Sequence, residues 1–149
     1  MRKSKDKARR FSNWLFHEFG VQRIPVHVHW HHPSIVTESG SCGFGVFVRG
    51  GSNPVEIHVA GKVIGTTGVL FTIAHEFAHY LQFLNGLDMT DPHIEEDAHA
   101  VEVVLYGAWL MHKNGEYCGH VLQCVLDFLK TKGMKEQLIA QYGEYITVT

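Results

Sequence analysis

Apolar residues recur at helical spacing early in the chain. Phe11, Trp14, Leu15 and Phe19 share one face and Gly20 ends the run, which predicts an amphipathic helix over residues 8–19. From residue 24 to 31 the period changes to two. Ile24, Val26, Val28 and Trp30 fall on one side and Pro25, His27, His29 and His31 on the other, the alternation of a half-buried strand, with Pro25 at its start or on a sheet edge. Two further β-rich runs, residues 43–49 and 55–59, flank the turn residues Gly50, Gly51, Ser52, Asn53 and Pro54, and together these runs predict a small antiparallel or mixed three-stranded sheet.

Residues 67–85 contain no proline and no glycine after Gly68, and Asn85-Gly86 supplies a helix stop. Asp91-Pro92 reads as an N-cap with proline at the first helical position, opening a long helix to about Lys113, before Asn114-Gly115. Shorter helices are predicted near residues 117–130 and 135–142. Helix, three strands, then helices is an α+β order, and no repeat, low-complexity tract or linker divides it.

Composition supports a single core: 149 residues, 45% hydrophobic and 19% charged, within ordinary globular usage. The longest apolar run, residues 69–74, is interrupted by Thr72. It is too short for a signal peptide or a membrane helix, so a cytoplasmic protein with no membrane partner is expected. Three cysteines without a C-x-x-C indicate neither a disulfide framework nor a cysteine zinc site.

The net charge of −2 is unevenly placed. Arg2, Lys3, Lys5, Lys7, Arg9 and Arg10 are opposed within the first ten residues only by Asp6. Residues 1–10 therefore read as a flexible basic tail preceding a single domain of residues 11–149. Such a tail can touch nucleic acid; the acidic remainder carries no basic stripe interleaved with aromatics, so nucleic acid is not an expected partner of the domain itself.

Twelve histidines against 15 carboxylates direct attention to metal binding. His75-Glu76-Phe77-Ala78-His79 is an H-E-x-x-H. On a helix, residues four apart point the same way, so both imidazoles can meet one zinc while the glutamate stands beside it as a general base. Leu70, Ile73, Phe77, Leu81 and Leu84 gather on one side of this helix and His75 and His79 on the other. The helix is thus expected to be buried, with its histidines aimed at another layer.

A catalytic zinc wants a third protein ligand. On the following helix Ile94, Ala98, Val101 and Leu105 form an apolar stripe, and Glu95, His99, Glu102 and Tyr106 a separate polar one. Glu95 shares its face with the other polar residues, whereas Glu96 lies about 100° round the helix; Glu95 is the expected ligand. His27, His29 and His31 share a strand face, but imidazoles on a solvent face need only water, and one zinc per chain is the expectation. His17-Glu18 repeats the motif's first letters, yet Val21 stands where the paired ligand belongs.

The stretches I-A-H-E-F-A-H-Y-L-Q and I-E-E-D-A-H-A resemble the zinc-dependent gluzincins, and among them the short ImmA/IrrE-like metallopeptidases, over roughly residues 24–113. The resemblance implies a zincin-like fold with Zn2+ held by His75, His79 and Glu95, and Glu76 as catalytic base for hydrolysis of a protein or peptide. It departs at His99, where the family usually carries an Asn or Asp that orients a zinc-bound histidine; His99 is then either that orienting residue or a ligand. Two alternatives are a non-catalytic zinc-binding module of the same fold and a DNA-associated protease of the SprT kind, which would have a histidine in place of Glu95. Tyr106, His58 and His112 are the candidate donors to the oxyanion. Gly43, Phe44, Gly45, Val46 and Phe47 are the candidate substrate strand, with glycines where another backbone approaches and β-formers between them.

Overall fold

The structure, a computed structural model, describes residues 2–36, 42–49, 55–117 and 119–130. In chain order these form α1 (Arg2–Phe19), β1 (Val26–His29), β2 (Ile35–Val36), β3 (Cys42–Gly43), β4 (Gly45–Arg49), β5 (Val55–Ala60), α2 (Gly65–Leu84), α3 (Ile94–Lys113) and α4 (His120–Lys130). The α+β order holds, with a small mixed sheet; the helix expected over residues 135–142 lies outside the described residues.

Helix α1 starts six residues before the helix expected from residue 8. It begins at Arg2 because the basic stretch keeps a helical contact face. Ala8 is buried one turn before Phe11 and Ser12, Ser4 pairs its hydroxyl with that of Thr66, and Arg9 reaches Asp6 at 3.2 Å. The buried side of α1 then meets the rest of the core: Phe16 packs edge-on against Phe77 of α2, and Phe11 and Trp14 lie against Trp109 of α3.

The three-stranded sheet has the order β1-β5-β4. β1 runs parallel to β5, with Val26 opposite Ile57 and His27 opposite His58, while β4 runs antiparallel to it, with Gly45 opposite Val59 and Phe47 opposite Ile57. The continuous run 43–49 is cut at Phe44: Gly43 pairs with Ile35 in a separate two-stranded ladder, and Gly45 onward joins β5.

Because paired residues share a face, the sheet has two distinct sides. Val26, Val28, Ile57, Val59, Gly45 and Phe47 face inward, and Ile57 and Val59 are fully buried. His27, Glu56 and His58 lie on the outer side. Among the described residues β4 has β5 as its sole sheet neighbour, so its other side is an edge.

Helix α2 lies across the inner side and α3 returns antiparallel against it. Asn85 and Gly86, the latter at φ 71°, end α2 as its sequence requires. The regular turns of α3 start at Ile94, later than Asp91-Pro92 implies: the Asp91 carboxylate accepts the N–H of His93 at 2.8 Å and closes a separate turn first. Among the described residues no helix is long and apolar enough to cross a membrane.

Candidate metal centre

His75 and His79 stand one turn apart on α2, and Glu95, in the first turn of α3, reaches both. Its Oε2 lies 2.9 Å from His75 Nε2 and its Oε1 2.9 Å from His79 Nε2. One donor atom from each of the three residues falls within 4.8 Å of the others, a group able to hold a metal ion. The His79 side chain is 8% exposed, that of His75 20% and that of Glu95 70%. The group is anchored on its α2 side and open to solvent on its α3 side.

Each histidine is held from behind. His75 Nδ1 lies 2.8 Å from Oε1 of Glu102, so a neutral His75 donates there and keeps its Nε2 lone pair outward. His79 Nδ1 lies 2.8 Å from Gln82 Oε1, and the other end of that fully buried amide donates from Nε2 to the carbonyl of Ile94 at 3.0 Å. The carbonyl can only accept, which fixes the amide's orientation. Gln82 Oε1 must then accept from Nδ1–H of His79, and the neutral ring again presents Nε2. In its neutral form each histidine is therefore held in the tautomer a metal ligand needs.

The electrostatics follow from the same contacts. Burial pushes the His75 imidazole down, but the bonds to Glu102 and Glu95 and the nearby charge of Glu76 outweigh it and leave the group raised to about 10. The bonds from His75 and His79 hold the Glu95 carboxyl well below the usual carboxylate range. The centre is a strong attractor of positive charge.

Glu76 is 6% exposed and faces β4. A Cβ built on Gly45 would stand 2.9 Å from its Oε2, 3.2 Å from its Cγ and 2.5 Å from Thr72 Cγ2. A side chain at 45 would have to push Thr72 or Glu76 aside, and β4 passes directly beside the carboxyl. Burial raises the Glu76 carboxyl against the opposing pull of His75 and His79, which moves it toward the range of a working general base.

The remaining expected residues separate clearly. His99 is 59% exposed and bonds to Glu102, Nδ1 to Oε1 at 3.3 Å, rather than to a histidine of the centre. Glu102 takes the orienting place expected for His99. His75, His99 and Glu102 also form a group able to hold a metal, but it shares His75 with the first, and one neutral imidazole offers one lone pair.

Of the oxyanion candidates, His58 projects from the outer side of the sheet, opposite α2. His112 is about 25 Å along α3 from Glu95 at 1.5 Å per residue, stacked on Trp109 and close to Trp14. Both are displaced from that role. Tyr106 packs on Phe71 with ring centroids 4.2 Å apart, one turn along the helix pair from the contact of His75 with Glu102. Gly43 and Phe44 precede the three-stranded sheet, whereas Gly45, Val46 and Phe47 form its β4 edge.

Two residues of this site, Gln82 and Glu102, were not singled out by sequence. Glu102 lay on the polar stripe of α3, and Gln82 three residues past His79, but the contacts of Glu102 with His75 and of Gln82 with Ile94 depend on the register of α3 on α2. Compared with protein-family models, with curated proteins and with solved structures, the chain matches none of them.

Proposed function

We propose that this protein is a zinc-dependent metallopeptidase of the gluzincin type, similar to the ImmA/IrrE-like enzymes. The observation that carries the reading is the convergence of His75 Nε2 and His79 Nε2 on the two oxygens of Glu95, with the buried Glu76 carboxyl between them and a strand edge. Two imidazole nitrogens and one carboxylate oxygen suit zinc and leave a coordination position open. When bound, zinc would supply a Lewis acid that polarises a carbonyl and lowers the pKa of water.

The chain's own residues do the rest. Glu102 and Gln82 keep the imidazoles turned to the site. Glu76 accepts a proton from the attacking water and passes it to the departing amine, which its raised pKa favours. The edge of β4, unpaired among the described residues, offers main-chain hydrogen bonds to an extended peptide, aligning a scissile bond beside Glu76. A purely structural zinc module would not need a buried carboxyl at position 76. A SprT-type site would have a third histidine where Glu95 stands.

The test is cleavage of an unfolded protein or a peptide mixture by zinc-loaded protein, alongside Glu76→Gln. New N-termini made by the wild type and lost in the variant, at equal zinc content, support the reading. No cleavage by either, across a diverse peptide library, refutes peptidase activity.

A further inference from the structure

The outer side of the sheet repeats the donor pattern of the helix pair. β1 and β5 are parallel with His27 opposite His58, so these two side chains leave the sheet side by side, and their rings stack at 4.7 Å. Glu56 precedes His58 by two residues and shares its face. Its carboxylate meets both rings, Oε1 at 2.7 Å from His58 Nε2 and Oε2 at 3.3 Å from His27 Nε2. As at Glu95, one carboxylate turns a separate oxygen to the Nε2 of each of two histidines, and the three donor atoms lie within 4.8 Å of one another.

Three further features favour a cation here over a plain hydrogen-bonded cluster. His29 Nε2 lies 2.9 Å from His58 Nδ1. It can accept from that nitrogen and so free His58 Nε2 to act as a ligand, as Glu102 does for His75. His32 packs edge-on against His29 at 5.5 Å, which extends the cluster by a fourth imidazole. The side chains of His27, Glu56 and His58 are 46%, 20% and 24% exposed, so an ion has access and room for water ligands.

We propose that His27, Glu56 and His58 form a second metal site, for a divalent transition ion of the zinc type, with His29 orienting His58. Nitrogen and oxygen donors of this kind favour zinc, copper or nickel over magnesium or calcium. The ion would bridge β1 to β5, the one parallel pair of the sheet. The site is independent of the peptidase reading, since it lies on the other side of the sheet from Glu76.

Zinc titration of the full chain, followed by equilibrium dialysis, tests it. Wild type should take up about two zinc ions per chain. His27→Gln with His58→Gln should take up about one and keep any peptidase activity, while His75→Ala with His79→Ala should also keep about one. Combining the four substitutions should remove both. His31→Gln with His32→Gln, leaving the proposed ligands intact, should keep two. If the paired outer-side variant, folded by circular dichroism, binds as much zinc as wild type, the site does not exist. The same conclusion follows if wild type saturates at one ion that His75→Ala with His79→Ala abolishes. Should that helix variant fail to fold, cobalt absorption of the wild type decides: one spectroscopic class, unaltered in His58→Gln, overturns the proposal, and two classes, one lost in His58→Gln, support it.

Discussion

Gly45 leaves no free room for a side chain beside Glu76: a single carbon added to Gly45 would stand 2.9 Å from the Glu76 carboxyl oxygen. A backbone position on a sheet edge and the proposed general base thus share one small space. Gly45→Ala would push on Glu76 and on Thr72 Cγ2, 2.5 Å from the new carbon. It should cost about 1–3 kcal/mol of stability by overpacking and displace Glu76, lowering peptide cleavage while leaving bound zinc unchanged. Thr72→Ser removes the nearer clash, so the double variant should regain part of the stability. Denaturant melts and cleavage assays of both variants check this, and an unaltered Gly45→Ala protein would contradict the contact.

Glu76→Gln should fold, keep zinc and lose hydrolysis, because the amide preserves shape but does not accept the proton. Metal content measured beside turnover separates the roles. Loss of zinc with this substitution would make Glu76 structural instead.

Metal affinity at the helix pair should fall most for His75→Ala, His79→Ala and Glu95→Ala, and hardly at all for Glu96→Ala. Glu102→Ala and Gln82→Ala should weaken binding about 10–100-fold, the usual cost of losing a group that orients a ligand. His99→Ala, one contact further out, should cost less than either. Competition with a chromophoric chelator ranks the series, and a loss at His99 larger than at Glu102 would reverse the assignment.

The metal-free protein should lose stability as the solution becomes alkaline. His75 is raised from an ordinary 6.5 to about 10, so its contribution is complete below pH 6.5 and disappears as the pH rises toward 10. Glu95 is lowered from 4.5, so its contribution is present above that pH and is lost on acidification below it. Stability from this pair should therefore peak between about pH 4.5 and 6.5. Thermal melts in chelator from pH 4 to 10 should show the decline, and His75→Gln should flatten its alkaline side. A wild-type profile level from pH 6 to 9 would contradict it.

The local parts of this architecture are legible in the chain and the non-local parts are not. His75, Glu76 and His79 are set by spacing within one helix, and Glu95 by its face on the next. Glu95, His99 and Glu102 share one stripe, so periodicity cannot say which of them meets His75 Nδ1; that depends on how far α3 is advanced along α2. The same limit hid the meeting of His27 with Glu56 and His58. Each strand's alternation was visible, but the pairing of β1 with β5 joins residues far apart in sequence. The helical start of α1 was obscured because Ala8 is its only buried residue before Phe11. The break at Phe44 was obscured because Gly43 to Phe47 reads as one β-rich run.

Gln82 links these levels. Its amide is shared between the ring of His79 and the backbone of Ile94, one residue before Glu95. Sliding α3 along α2 would therefore release His79 from its fixed tautomer in the same movement that withdraws Glu95. Ligand orientation and helix alignment fail together, so metal affinity at this centre measures the alignment of the two helices. A substitution distant from any ligand that shifts that alignment should be detected first as a change in zinc release rate, before it is seen in the melting temperature.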